Sequence, residues 1–298
     1  MNNINKPLYS RSETDLKLAL KKYKYGGEEK GYDASNEEIK RILALYAEYE
    51  KNFAKESEKL KPDDLSEALQ TALFTAYSYT QKTRKLEHIR QTIFANISVC
   101  PLCGIDVPTE LDHFLPISEF NALAIFVHNL IPLCHICNNT KRADLPSKKS
   151  GRYLHSYFDI IPKVEYLYAK VDLSGGALTV EFSINSALVD DDSLIVNLQY
   201  QLDKLNINNR YMAEINKYLS SYAVPLHMLY TSTNAENVKN YLDIQARHEA
   251  RATHAAHWRP TLLRALKAHA EFCDGGFYQI LHVDKELAVE VASLIGSR

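Results

Sequence analysis

Two matched pairs, Cys100-Pro101-Leu102-Cys103 and Cys134-His135-Ile136-Cys137, bracket a segment that carries Leu111-Asp112-His113 and, further on, Asn129. Each C-x2-C spacing can turn two thiolates toward one point, and two such pairs supply four sulfur ligands, the complete tetrahedral shell of a zinc ion. A shell closed in this way leaves no position for water or substrate, so the expectation is a structural zinc on Cys100, Cys103, Cys134 and Cys137. Any chemistry then falls to the Asp-His pair held between the knuckles.

The 298 residues are 46% hydrophobic and 24% charged, an ordinary globular balance for one large domain or two smaller ones. No apolar run reaches the roughly 18 residues that a membrane span needs. Met1 to Pro7 also lacks the apolar stretch of a signal peptide. The expectation is a cytoplasmic protein without a membrane partner, where cysteines at this spacing ligate metal rather than form disulfides. Cys273, between Phe272 and Asp274, is expected to be a small buried apolar residue.

A net charge of -2 argues against a protein that coats nucleic acid by bulk electrostatics. The charge is uneven, however. Between Lys82 and Arg152 stand Lys82, Arg84, Lys85, Arg90, Lys141, Arg142, Lys148, Lys149 and Arg152 against Glu87, Asp106, Glu110, Asp112, Glu119 and Asp144, an excess of three positive charges. No Lys or Arg occurs from Gln91 to Thr140, so two cationic arms flank the zinc segment. These arms could hold phosphates, or they could be two solvated helix ends.

Patterning predicts a mainly α protein with a small α+β portion. Residues 1–95 read as an N-terminal helical region. There Ser35 to Glu38 resembles a capping box, and Ile39, Ile42, Leu43, Leu45, Tyr46, Tyr49 and Phe53 form one stripe. A second helix is expected after Lys61-Pro62-Asp63-Asp64, carrying Leu65, Leu69, Leu73 and Ala76, and a third from Lys82 toward Ala95. Residues 96–160 carry the cysteine motif. Residues 161–298 open with a β-hairpin, Lys163 to Asp172 and Ala177 to Ile184 around Ser174-Gly175-Gly176. Helices near Ser193–Leu205, Asn209–Tyr222, Asn234–His257, Pro260–Phe272 and Asp284–Ile295 are expected to follow.

Hydrolysis of a phosphodiester needs a base for water, a cation at the scissile phosphate and a group that orients the base. His113 suits the base because imidazole titrates near neutrality. Asp112 can offer a hard oxygen to magnesium or manganese, and Asn138, just past the second knuckle, a carbonyl oxygen. Asn139 is the fallback ligand. Asn129 can fix the orientation of the histidine. Each residue also has a plain alternative: Asp112 as a turn cap, Asn129 and Asn138 as turn or helix caps, His113 as a satisfied structural group. A zinc ribbon that binds nucleic acid or protein without cleaving is the reading from a different class.

The run Cys100-x2-Cys103, Leu111-Asp112-His113-Phe114-Leu115-Pro116, His128-Asn129-Leu130-Ile131-Pro132-Leu133-Cys134 and Cys137-Asn138-Asn139-Thr140-Lys141 resembles the HNH endonucleases, in the subset whose ββα-metal finger is buttressed by a four-cysteine zinc. The resemblance implies cleavage of nucleic acid with one divalent ion, Mg2+ or Mn2+. It matches His113 to the general base, Asp112 and Asn138 to the ion's ligands, and Asn129 to the residue that positions the histidine loop. The family's name expects a histidine at Asn138, where asparagine is an accepted variant in the HNH domains of RNA-guided DNA nucleases. Substrate is left as DNA or, with the same chemistry, RNA such as transfer RNA.

Thr109 to Phe120, Asn129 to Pro132 and Leu154 to Asp159 are further similar to HNH subunits of Septu-type and retron-associated anti-phage defence systems. That likeness implies a partner of the ABC/SMC ATPase type. His155 and Tyr157 could meet substrate or pack in the core. Arg247, His248, Arg251, His254, His257, Trp258 and Arg259 are expected to form a cationic, histidine-rich helix, either touching phosphates or simply solvated, with His254 and His257 at a spacing that metals accept.

Overall fold

The computed structural model describes residues 3–95, 97–143, 151–232 and 234–296. Lys148, Lys149 and Asp144 of the flanking charges lie outside them. The chain forms two compact units, Met1–Ile160 and Ile161–Arg298. In order, the first holds α1 (Ser12–Leu20), β1 (Tyr23–Tyr25), β2 (Glu28–Lys30), α2 (Asn36–Lys51), α3 (Glu67–Ala76), α4 (Glu87–Phe94), β3 (Glu110–His113), β4 (Leu130–Leu133) and α5 (His135–Lys141). The second holds β5 (Leu167–Asp172), β6 (Thr179–Ile184), α6 (Asp192–Lys204), α7 (Ile207–Ser220), α8 (Ala223–Ser232), α9 (Ala235–Ala252), α10 (Trp258–Ala268), α11 (Ala270–Cys273) and α12 (Lys285–Gly296). The described chain is thus mainly helical, with three small antiparallel pairs, β1-β2, β3-β4 and β5-β6.

The capping box at the head of α2 is present: Glu38 donates its N–H to Ser35 Oγ at 3.2 Å, and Ser35 donates its own to Glu38 Oε2 at 2.8 Å. Ile39, Ile42, Leu45, Tyr46 and Tyr49 are buried along one face, and Leu43 is partly buried at its edge. Phe53 leaves that stripe. The helix ends at Lys51, and Phe53 (φ 52) and Ala54 (φ 58) both adopt the left-handed conformation that reverses a chain after a helix, leaving Phe53 63% exposed. The second expected helix starts later than the Pro62 signal, at Glu67, because Ser66 Oγ takes the N–H of Leu69 at 3.3 Å.

Residues 12–95 are not wholly helical. Gly26 (φ 64) and Gly27 (φ 84) close a two-residue turn that pairs Tyr25 with Glu28, and β1-β2 is the hairpin that this turn dictates. The hairpin after residue 160 forms as expected, with Asp172 opposite Thr179 and positive φ at Gly175 and Gly176. Helix α8 stands where the sequence predicts none. Pro225 falls in its first turn, where a missing N–H costs nothing. The histidine-rich helix is broken: α9 ends at Ala252, and His257 caps α10 by accepting the Arg259 N–H at 3.3 Å.

The first unit has one core. Leu16, Ile42, Leu45, Leu69, Leu73 and Ile89 from the helices meet Leu111, Phe120, Phe126 and Leu130 around the cysteine segment, so helices and finger share a single apolar interior. Replacing fully buried Leu45 by Ala is expected to cost about 2–5 kcal/mol through lost transfer energy and a residual cavity. Phe53→Ala should stay within about 0.5 kcal/mol, as surface changes do. Urea unfolding of the two variants beside the parent checks the contrast.

Candidate metal centre and histidine loop

Cys100 and Cys103 lie in a tight turn, where Gly104 (φ 68) donates to the Cys100 carbonyl at 2.8 Å. Cys134 follows β4 directly and caps α5, its Sγ accepting the N–H of Cys137 at 3.5 Å. All four cysteines are buried and unbridged, with their sulfurs within 4.8 Å of one another. A zinc tetrahedron with bonds of about 2.3 Å has sulfur–sulfur edges of about 3.8 Å. Cys103 Sγ and Cys134 Sγ are 3.8 Å apart, too far for a disulfide and right for one shared cation. Hydrogen bonding within the cluster, led by Cys103, pushes the Cys100 thiol up, while the hydrogen bond from Cys100 holds Cys134 down. Four thiols this close would ionise together only around a cation, which favours the thiolate form of each. The cluster is able to bind zinc.

Strands β3 and β4 pair antiparallel with Glu110 opposite Leu133, Leu111 opposite Pro132, Asp112 opposite Ile131 and His113 opposite Leu130, and α5 follows. Pro132 fits because a two-stranded sheet has only edge strands. In chain order β3, β4 and α5 follow one another around the cysteines. Beyond His113 the chain turns, and Asn129 clasps that turn. Its Oδ1 accepts the N–H of Leu115 at 2.9 Å and its Nδ2 donates to the Leu115 carbonyl at 3.1 Å, from a fully buried position. Phe114 also donates its N–H to the Asn129 carbonyl at 2.8 Å.

A buried relay holds the clasp in turn. His155 Nδ1 accepts the Tyr157 N–H at 3.1 Å, so its Nε2 carries the proton and donates to the Tyr49 hydroxyl at 3.0 Å. Tyr49 then donates to Asn129 Oδ1, also at 3.0 Å. His155 and Tyr157, which donates to the Leu130 carbonyl at 2.9 Å, are therefore packing and bracing groups. The sequence gives Tyr49 only a place on a helix stripe; the long-range partners of its hydroxyl are not visible in a period.

His113 is 8% exposed, with Nε2 2.9 Å from the Ala124 carbonyl and the Tyr77 ring centroid 4.4 Å away. A carbonyl only accepts, so Nε2 bears the hydrogen and Nδ1 keeps the lone pair. Burial lowers its pKa to about 4, so the ring is neutral at physiological pH. Asp112, on the face of β3 toward α5, lies with its Oδ2 2.7 Å from Lys141 Nζ. Burial raises its pKa to about 6 against the pull of that ammonium.

Asn138 does not meet Asp112 directly. Its amide nitrogen donates to Glu110 Oε2, while Glu110 Oε1 lies 2.6 Å from His135 Nδ1, and Asn139 lies 2.7 Å from His135 Nε2. Glu110 and His135 therefore group with Asn138, and Lys141 with Asp112 and the His113 carbonyl. A signal for Glu110 existed, since residues two apart on a strand share a face. Among the described residues, no second group of three or more His, Cys, Asp or Glu side chains is placed to hold a metal.

The cationic arms are thinner than the residue count implies. Arg152 forms a two-pronged ion pair with Asp159, both contacts at 2.6 Å. Lys85 is turned onto the Ala19 carbonyl at 3.1 Å and the Tyr79 ring at 3.9 Å. Arg90 donates to the Thr109 carbonyl, and Lys141 is buried. Lys82, Arg84 and Arg142 are exposed. Cys273 is buried, as expected, with Sγ 3.4 Å from the Leu266 carbonyl. Among the described residues, no helix is long and apolar enough to cross a membrane.

The chain is 30% identical over 126 residues to Protein ea31 of Escherichia phage lambda, a stretch that covers 41% of this chain and 42% of that protein. The chain thus spans about two fifths of the relative it matches, which assigns neither family nor activity. No family model and no solved structure matches.

Purified chain is expected to carry one zinc, and Cys134→Ala should lose the metal and the folded finger together, because ligation energy is folding energy here. Elemental analysis beside thermal melting decides it. Metal-free folded chain, or a disulfide among the four cysteines, would contradict the assignment.

Proposed function

We propose that the chain is a metal-dependent HNH endonuclease in which His113 activates water against a phosphodiester. The observation that carries this reading is the neutral His113 ring with Nε2 held by the Ala124 carbonyl and Nδ1 left as the base, on a turn clasped by buried Asn129. In the reaction, a proton moves from water to Nδ1 of His113 as the water oxygen attacks phosphorus, the P–O bond to the leaving oxygen breaks, and that oxygen takes up a proton from solvent. Asn129 and the Tyr49-His155 relay keep the histidine loop from moving. Asp112 and Asn138 are the proposed ligands of a magnesium or manganese ion, which when bound would neutralise charge on the phosphate and the leaving oxygen. The donor types fit: Asp112 offers a hard oxygen whose Oδ2 is buried and lacks a well-directed hydrogen-bond donor, and Asn138 offers an amide carbonyl. The four cysteines hold zinc as a structural ion.

DNA is the proposed substrate class, with RNA such as transfer RNA the alternative for the same chemistry. The defence role and an ABC/SMC-type ATPase partner are proposed on the resemblance of 109–120 and 154–159 to Septu-type subunits. A catalytically silent zinc adaptor is the second reading, favoured by one observation: Asp112 and Asn138 are already engaged, by Lys141 and Glu110.

Supercoiled plasmid and total RNA, each incubated with magnesium, manganese or chelator, separate the readings. Cutting should need the divalent ion, and His113→Ala should lower its rate roughly 10²- to 10⁴-fold, the usual worth of a positioned base. Zinc content of that variant should match the parent, while loss of a buried, hydrogen-bonded ring should lower its melting temperature without unfolding it at the assay temperature. Undiminished cutting by the variant removes His113 from its role, and no cutting under any of these conditions favours the adaptor.

A further inference from the structure

We propose that Lys141 is the resting counter-ion of the divalent-ion site and gives up Asp112 when the ion binds. The inference rests on the ion site of the nuclease reading. Lys141 ends α5, and its side chain is 3% exposed. Lysine is almost never buried unless paired, and this one has two partners, Asp112 Oδ2 at 2.7 Å and the His113 carbonyl at 2.8 Å. Both are hard oxygens of the kind that magnesium and manganese take. An ammonium thus stands where the proposed ligand would otherwise carry a bare buried charge.

The pairing is also imperfect. The contact with Asp112 lacks the direction of a good hydrogen bond, so Oδ2 is neutralised in charge yet left unfilled as an acceptor. Asn138 lies one turn before Lys141 on α5, and Glu110 lies two residues before Asp112 on the same face of β3. A dication placed on Asp112 would repel the ammonium, and the four-carbon stem of lysine lets its head swing away while α5 stays put. A phosphate arriving at the site would give that ammonium a new anion to hold. Binding of ion and of phosphate then reinforce each other, since whatever takes Lys141 from Asp112 favours the ion.

The test measures manganese binding to the zinc-loaded full chain without nucleic acid, by electron paramagnetic resonance of the free ion. Lys141→Met removes the competing cation and should bind manganese on the order of tenfold more tightly than the parent, within the usual range of coupling between two sites. Lys141→Arg keeps the cation and should bind as the parent does. Asp112→Asn should abolish binding in either background. Because Lys141→Met could fail to fold, the unaltered chain supplies a second measurement. Acylation of Lys141 by an amine-reactive ester, followed by peptide mass spectrometry, should rise several-fold on saturation with manganese but not with sodium at equal ionic strength. Lys141→Met binding no more tightly than the parent, or Lys141 acylation unmoved by bound manganese, overturns the exchange while the nuclease reading stands. Absence of manganese binding by every variant overturns the ion site and the exchange together.

Discussion

The convergence of four buried sulfurs is the constraint on which the finger depends. Strands β3 and β4 pair over four residues each, and α5 has seven, whereas an isolated hairpin is marginal in water and helices under about 12–15 residues rarely form alone. Neither piece has reason to persist by itself. Cys134 and Cys137 fix the start of α5, Cys100 and Cys103 fix the loop beside it, and a cation shared among them would make the three pieces one object. Because Cys134 is at once the residue after β4 and the cap of α5, the helix leaves the sheet in one direction only. That direction brings Lys141 to Asp112 and Asn138 to Glu110.

The sulfur cluster does not reach the histidine loop, and the helical region supplies what it lacks. Tyr49 is buried in α2, yet its hydroxyl ends on Asn129, whose amide holds both backbone groups of Leu115. Buried amides and hydroxyls are costly unless satisfied, so this network tolerates one arrangement and rejects others. Its cost is offset by the apolar core around it, where the Phe126 ring stacks on Tyr46 at 4.1 Å and meets Tyr49 edge-on at 5.4 Å. The N-terminal helices are therefore structural support for the loop as well as a scaffold.

The elements legible in the sequence were those set by local rules. The four cysteines, the capping box, the Gly175-Gly176 hairpin and the burial of Leu65, Leu69, Leu73 and Ala76 each follow from spacing or turn chemistry within a few residues. The β1-β2 hairpin was equally local, through Gly26-Gly27, but it sat in a stretch dominated by helical periodicity. What was illegible is pairing at a distance. Nothing near Lys141 in sequence says that it meets Asp112 across 29 positions, nor does anything near Arg152 say that Asp159 consumes its charge. The spacing of His254 and His257 continues that of α9, yet α9 ends at Ala252 with Thr253 as its C-cap, and the His257 side chain starts a new helix by capping α10.

The same pairing changes what the nuclease reading requires of other molecules. Counting Lys and Arg gives an excess of three positive charges around the finger, but Lys85, Arg90, Lys141 and Arg152 are turned inward onto carbonyls, rings and carboxylates. Asp112 and Asp159 offset the charges of Lys141 and Arg152, whereas Lys85 and Arg90 keep theirs while held on neutral groups. Among the described residues of these arms Lys82, Arg84 and Arg142 are exposed, and on a chain of net charge -2 non-specific binding at physiological salt should be weak. A nuclease built this way gains restraint, because contact with bulk nucleic acid would seldom last long enough for cleavage. On the proposed nuclease reading, a cationic partner would bring substrate to the loop. That role is what the partner proposed from the resemblance would supply.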